Sequence, residues 1–326
     1  MSRYVVSFVA WLLAASALWV APSGAADQFP SRAVKLVVPF PPAGSGDVIA
    51  RLLSERLTPM WGVPVVVENK PGAAAMIGAD VVAKAQPDGH TLLVIPNNIQ
   101  TINPALYRSM PFDARRAFRS ITLIGNTPFV LVAGPSVKAA TVSELIVEAK
   151  GRSNGMTYAS SGVGSVQHLA GELFRSLTGL ALVHVPYKGG APAVVDLVSG
   201  QVDIQFGAAT AVVPHVRSGK LKALAVTGQQ RTSLLPDVPT MIEAGIAGYV
   251  SEPWIGLAAP ANTPDDVVEK VNRDVRAAMV DPNVARTLAE QGVDVATTSG
   301  EELDARIERE ARQWAKIIAE AGIRGD

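Results

Sequence analysis

The chain has 326 residues, 48% of them hydrophobic, and its 29 basic and 29 acidic side chains leave no formal net charge. That length allows two domains of ordinary size with substantial cores. With no block of like charge, the footprint of a nucleic-acid partner is missing. With no cysteine, disulfides, thiolate nucleophiles and thiolate metal ligands are excluded, and core burial alone must hold the fold.

Residues 1–26 read as an export signal. Ser2 and Arg3 give a positive start, residues 4–21 are mostly apolar, and Pro22-Ser23-Gly24-Ala25-Ala26 supply the small residues of a cleavage site. The expected mature chain therefore begins at Ala26 or Asp27, in the periplasm. An uncleaved anchor is the alternative, since the apolar stretch approaches the roughly 20 residues that span a bilayer. No later stretch is long and apolar enough to do so.

Beyond the signal, strand and helix periods alternate: strand 34–40, helix 47–58, strand 63–68, helix 73–85 and strand 91–96. In the first helix Val48, Ile49, Leu52, Leu53 and Leu57 share one face, Arg51 and Glu55 the other. This βαβαβ order implies a parallel sheet. Residues 97–119, interrupted by Pro104 and Pro111, read as an irregular connection. Strands at 121–124 and 129–132 then lead into a second unit: helix 141–150, strand 156–159, helix 165–177, strand 182–185, helix 191–198, and strands 202–206 and 221–226. A short helix ending at Ala244 and an extended stretch over 249–259 precede two helices, 263–279 and 300–321, separated by Pro282. The first unit lacks helices enough to cover both faces of its sheet, so the terminal helices are expected to return to it.

Two strand-to-helix turns stand out. Pro39-Phe40-Pro41-Pro42-Ala43-Gly44-Ser45-Gly46-Asp47 and Ser160-Ser161-Gly162-Val163-Gly164-Ser165-Val166-Gln167-His168 each leave a strand, turn on two glycines and enter a helix. Ser45 or Asp47 is placed to cap the first helix and Ser165 the second. A helix start offers unpaired amides and the positive end of the macrodipole, so each turn is an anion seat, and the two could hold one small anion between them. Tyr187, in Val185-Pro186-Tyr187-Lys188-Gly189-Gly190, ends a further strand on the same side and could line that cleft. Asp203 opens another strand, either as a ligand contact or, more simply, as a turn cap.

Enzyme templates fail. No Gly-x-Ser-x-Gly elbow or phosphate-binding Gly-x-x-x-x-Gly-Lys loop occurs, and Gln167 stands where a dinucleotide fingerprint needs glycine. The four histidines, His90, His168, His184 and His215, show no metal-ligand spacing, so no catalytic residue, metal or cofactor is assigned. His90 and His184 read as structural, whereas His168 could hydrogen-bond either a ligand or its own loop.

Taken together, several segments resemble the extracytoplasmic solute receptors of the tripartite tricarboxylate transporters, the Bug family. They are the 38–47 turn, Val65-Val66-Val67-Glu68-Asn69-Lys70-Pro71-Gly72-Ala73, Pro87-Asp88-Gly89-His90-Thr91, Gly164-Ser165 with His168, His184-Val185-Pro186-Tyr187-Lys188-Gly189, Gly200-Gln201-Val202-Asp203 and Pro236-Asp237-Val238-Pro239-Thr240. The likeness runs through nearly all of the chain after the signal. It implies a type II periplasmic binding protein, α/β in class: two α/β domains with a hinge and a central ligand cleft. Domain 1 would comprise 27–124 and 251–326 and domain 2 residues 125–250, with crossings near 124–130 and 250–257. The implied ligand residues are Ala43, Gly44, Ser45 and Asp47 on one side and Ser161, Gly162, Gly164, Ser165 and His168 on the other. The implied partners are a small carboxylate and a membrane permease, with the receptor itself a monomer. A sensor component with the same fold and an enzyme acting on a small organic acid remain as alternatives. Two departures from the family pattern are visible: Pro41-Pro42-Ala43-Gly44 stands where Pro-Ala-Gly-Gly is usual, and Gly72-Ala73-Ala74-Ala75 lacks glycines that the family often has.

Overall fold

Hydrophobic runs such as Val34–Val38, in which only Lys35 reaches solvent, are buried on both sides and so belong in the middle of a sheet with helices on each face. In the computed structural model, which describes residues 29–325, they form two sheets. The export signal read at residues 1–26 lies outside the described residues. The first sheet has six strands, β1 (Val34–Val38), β2 (Val65–Asn69), β3 (Thr91–Pro96), β4 (Phe118–Asn126), β10 (Trp254–Pro260) and β11 (Asp294–Val295), in the order β11-β4-β10-β3-β1-β2. β1 runs parallel to β2 and β3, and β10 is antiparallel between β3 and β4. The chain therefore returns to its first sheet after building the second.

The second sheet holds five strands, β5 (Phe129–Ala133), β6 (Met156–Ser160), β7 (Leu182–Pro186), β8 (Ile204–Ala208) and β9 (Lys222–Val226), ordered β7-β6-β8-β5-β9. β6 is parallel to β7 and β8. In both sheets, then, the carboxyl ends of several parallel strands share one edge, where ligands of open α/β sheets sit.

Eleven helices cover these sheets among the described residues: α1 (Ser45–Trp61), α2 (Met76–Ala83), α3 (Asn98–Thr101), α4 (Asn103–Leu106), α5 (Val142–Lys150), α6 (Val166–Thr178), α7 (Gly190–Ser199), α8 (Ala209–Arg217), α9 (Asp265–Met279), α10 (Pro282–Glu290) and α11 (Gly300–Ala321). Sheet coverage is met as the sequence requires. Ile49, Leu53 and Leu57 of α1 join Val271 and Val275 of α9 and Leu288 of α10 against one face of the first sheet. On the other face Met76, Ala79 and Val82 of α2 pack with Leu303 and Ile307 of α11. Further along α11, Trp314, Ile317 and Ile318 enter the second core beside Tyr158, Leu169 and Phe206. One helix thus packs on both cores.

Several local expectations are corrected. The connection over 97–119 contains α3 and α4, and α8, with Pro214 inside it, stands between two strands where no helix was expected. Pro282 starts α10 instead of merely separating helices: it occupies the first helical position, behind a cap in which Asp281 accepts from the Asn283 amide. The helix expected to end at Ala244 is a turn, in which Thr240 and Glu243 bond reciprocally at 3.0 and 2.8 Å. The helix expected from residue 73 begins at Met76, because Ala73, Ala74 and Ala75 all have positive φ.

Where the chain crosses between sheets, the Thr127 amide donates to the Pro253 carbonyl at 2.7 Å and the Ser251 amide to the Thr227 carbonyl at 3.1 Å. Arg306 of α11 is the common partner of the crossings. Its guanidinium donates to Asn126 Oδ1 at 2.8 Å, Glu252 Oε2 at 3.1 Å and Glu310 Oε1 at 2.6 Å, while Trp254 Nε1 donates to Glu310 Oε2 at 2.9 Å. Burial pushes the Glu252 carboxyl above its ordinary range, and Arg306 opposes that rise. Removing one member of a buried ion pair strands its partner's charge, at a cost of about 3–5 kcal/mol. Arg306→Met is therefore expected to lower the urea midpoint strongly, and Arg306→Lys, which keeps the charge but not the planar fork, to fall between. Equal midpoints for Arg306→Met and the parent would remove Arg306 as the crossing's anchor.

Candidate functional site

The turn after β6 is ordered by its own side chains. Gly162 and Gly164 adopt φ of 132° and 75°, values that L side chains avoid. A Cβ on Gly164 would also lie 2.8 Å from Leu106 Cδ2. Ser165 caps α6 as expected, its hydroxyl accepting from the His168 amide at 3.2 Å. The Ser161 amide donates to Gln167 Oε1 at 2.9 Å, the Gly162 amide to Ser160 Oγ at 3.1 Å and the Gly164 amide to His168 Nδ1 at 3.0 Å. The His168 ring is buried and its Nδ1 is taken by the Gly164 amide, so this nitrogen serves the loop.

The turn after β1 is held differently. Gly44 is the N-cap of α1 and no side chain caps it, so neither Ser45 nor Asp47 has the capping role expected of it. Asp47 instead turns back. Its Oδ2 accepts from the Ala43 amide at 3.0 Å and Arg51 Nε at 2.8 Å, and its Oδ1 from Asn69 Nδ2 at 3.0 Å. The Arg51 contact above all, helped by the Ala43 and Asn69 donors and opposed by burial, holds the carboxyl down at about 2. Ala43 and Gly44 are exposed and Ser45 half-buried. Gly46 is required by packing, since a Cβ there would lie 2.7 Å from the Phe40 ring.

These two turns occupy the carboxyl edges of the two sheets, and the connection that leaves the first edge touches the second turn. The chain leaving β3 at its carboxyl end runs through α3 and α4 and inserts Ile102 and Leu106 into the second core, where Leu106 covers Gly164. Tyr187 belongs to the same edge as Ser161, Gly162, Gly164, Ser165 and His168: its amide donates to the Ser160 carbonyl at 3.0 Å. Its hydroxyl donates to Asp196 at 2.8 Å, and burial, then Asp196, push its own titration up to about 12. Asp203 lies elsewhere. It precedes β8 at the amino end of the sheet, where its carboxylate accepts from the Thr157 amide at 2.9 Å, Arg152 Nη1 at 2.7 Å and Ser136 Oγ at 2.9 Å. It closes a turn, and the structure does not bring it to the loops.

Sequence reading missed the residues that shape the edges from behind. Gln167, noted only for spoiling a fingerprint, holds the Ser161 amide. Asn98 and Asn103 both donate to the Ala74 carbonyl, at 2.9 and 3.1 Å, fixing the left-handed alanine turn after β2. Their sole cue was two asparagines in a connection that also held Pro104. His184, read as structural, stacks on His168 with centroids 3.8 Å apart and planes 6° from parallel. Its Nε2 lies 2.6 Å from Ser160 Oγ. This serine and histidine do not form a nucleophile pair, because Ser160 is fully buried and its oxygen already serves the Gly162 amide. Among the described residues no group of three His, Cys, Asp or Glu side chains could hold a metal ion.

Residues 49–323 match the sequence profile of the tripartite tricarboxylate transporter family receptor, TctC. The chain belongs to the TctC family. It is 36% identical over 319 residues to protein BugT of Bordetella pertussis, covering 96% of this chain and 98% of that one. Among solved structures, R. palustris Rpa4515 with adipate is 34% identical with a TM-score of 0.76, covering 91% of this chain and 99% of that one. MatC from Rhodopseudomonas palustris with bound malate is 32% identical with a TM-score of 0.71, covering 89% of this chain and all of that one, 100%. The two-sheet α/β architecture is that of TctC and Bug periplasmic solute-binding proteins, and the family is one of receptors, not enzymes.

The depressed Asp47 carboxyl gives a pH signature. A carboxyl near 2 in the fold, against an ordinary 3.8, contributes stability that is full above the ordinary value and is lost as pH falls through the folded one. Asp47→Asn is expected to lower the denaturation midpoint at neutral pH, by a deficit that narrows as pH drops below about 4. A deficit constant from neutrality to about pH 3 would contradict the ion-paired loop.

Proposed function

We propose that this TctC-family receptor is exported, closes two lobes over a small carboxylate and delivers it as a monomer to the membrane permease of a tripartite tricarboxylate transporter. The lobes are 27–124 with 251–326, and 125–250, moving about the crossings near 124–130 and 250–257. One observation carries the reading: each of two helix starts lies at the carboxyl edge of its sheet, and both leave first-turn donors unused. The amides of Ser45 and Gly46 in α1, and of Val166 and Gln167 in α6, have no carbonyl within their own helix, and no capping side chain takes them. Such donors, at the positive ends of two helices, suit a carboxylate without a dedicated arginine. Support comes from the two relatives solved with adipate and with malate. Ala43, Gly44, Ser45 and Asp47 form one jaw; Ser161, Gly162, Gly164, Ser165, His168 and Tyr187 form the other. Asp203 takes no part.

Calorimetry with adipate, malate and a wider panel of small mono-, di- and tricarboxylates is expected to give saturable one-site binding for at least one of them. Gly164→Leu adds a side chain where Leu106 already sits, at a backbone φ that leucine avoids. It is expected to weaken that binding at least about tenfold, or 1.4 kcal/mol, with thermal melting run alongside to separate binding from folding. If the panel yields no binding to the folded parent protein, the receptor reading fails.

A further inference from the structure

We infer that His168 is a positioning residue that makes the second jaw sensitive to acid: its unprotonated Nδ1 holds the Gly164 amide in place, and a proton on that nitrogen releases the loop. The inference rests on the reading of the 161–168 turn as a carboxylate-gripping jaw, and it names how that jaw is regulated.

The geometry fixes one tautomer. Nδ1 faces the Gly164 N–H at 3.0 Å and so must be the acceptor, which leaves the ring proton on Nε2. If Nδ1 gains a proton, two donors confront each other, and the hydrogen bond is replaced by a repulsive contact inside a buried turn. Nothing else takes over the Gly164 amide, whereas the other loop amides have non-titrating acceptors in Gln167 and Ser160 Oγ.

The surroundings set where this happens. From β7, the His184 ring lies flat on His168 at 3.8 Å, so the pair resists carrying two protons. From β6, Tyr158 stacks on His184 at 4.9 Å and donates its hydroxyl to Glu172 Oε1 at 2.7 Å. On α6 itself, Glu172 stands 4.0 Å from His168 Nε2, and it is neutralised by Arg175 at 2.7 Å. Glu320 of α11 lines the groove beside Arg175. From α4, Leu106 covers Gly164 with an apolar wall. Burial therefore dominates, and it keeps His168 below the ordinary imidazole value of 6.5 despite Glu172. Burial, and then His168, push His184 down further, to about 4. The sign follows: with the folded imidazoles depressed, the unfolded chain takes up protons first, so the stability of this region is full above 6.5 and erodes as pH falls below it.

Nuclear magnetic resonance on the folded, isotope-labelled protein tests this without a ligand. At neutral pH the His168 signals should report a proton on Nε2 only. On acidification the Gly164 amide should shift, and its hydrogen exchange accelerate, in step with His168 protonation. His168→Asn presents a side-chain oxygen that accepts without titrating, so in that variant the Gly164 amide should no longer follow pH. His168→Phe keeps the stack and offers no acceptor, so fast exchange at Gly164 is expected at every pH. The inference is overturned by a proton on Nδ1 at neutrality, by His168 titrating while Gly164 stays still, or by His168→Asn keeping the parent's pH response. A second arm uses adipate and malate as probes. As pH falls below 6.5 the parent should lose affinity that His168→Asn keeps; the probe's own carboxyls titrate identically in both and cancel. Parallel affinity profiles would overturn the acid control of binding. If neither probe nor any other carboxylate binds at neutral pH, the receptor reading fails, and the resonance experiment still decides whether His168 controls the loop.

Discussion

Arg306 donates to Asn126 at the end of β4, to Glu252 on the returning crossing and to Glu310 on its own helix, so three separate stretches of chain converge on one planar cation. A guanidinium suits this position because it offers several donors in a fixed fork and stays charged at any relevant pH. The convergence fixes where α11 lies. Its first turns then cover the first sheet through Leu303 and Ile307, and its last turns reach the second core through Trp314, Ile317 and Ile318. With that helix in place, the 97–107 connection runs from the carboxyl end of β3 into the second core, where Leu106 meets Gly164. A chain without disulfides thus orients two cores by one buried charge cluster and one shared helix.

The two jaws solve the same problem by different chemistry. Each must leave some helix-start amides unused while keeping the rest of its turn rigid. In the first, a carboxylate does the ordering: Asp47 gathers Ala43, Asn69 and Arg51, and its low titration range keeps it charged throughout the physiological interval. In the second, neutral groups do it, Gln167, Ser160 and His168 each taking one amide. Only the second turn is ordered through an imidazole, a group that burial holds unprotonated below its ordinary value but that acid can still charge. On the proposed binding mode, an anion between the two turns would meet one side ordered by a fixed charge and one ordered by an imidazole.

Much of this was legible in the sequence where period and turn chemistry agree. The βαβ order, the parallel edges, the return of the terminal helices and the Ser165 cap all follow from patterns that physical rules constrain tightly. What escaped was set by tertiary contact. Pro282 was read as an interruption, though it starts α10, and α8, which accommodates Pro214, was not expected at all. Asp203 sat in a suggestive Gly-Gln-Val-Asp segment, and only the parallel pairing of β6 with β8 puts it at the far end from the loops. His184 looked like an ordinary half-buried strand residue; its significance lies in His168, sixteen residues away in sequence and 3.8 Å in space.

The alanines at 43 and 73–75 carry a further consequence. All four hold positive φ, where an L residue with a Cβ is disfavoured by roughly 1–2 kcal/mol relative to the right-handed region. Glycine would relieve that strain, but it would also give the turn more freedom when no ligand is present. Asn98 and Asn103, both gripping the Ala74 carbonyl, supply the restraint that keeps the alanine turn in its unfavourable conformation. The turn after β2 is therefore shaped before any ligand arrives. Ala43 in the turn after β1, and Ala73 and Ala74 in the turn after β2, are exposed, so methyl groups stand where glycines would leave open space.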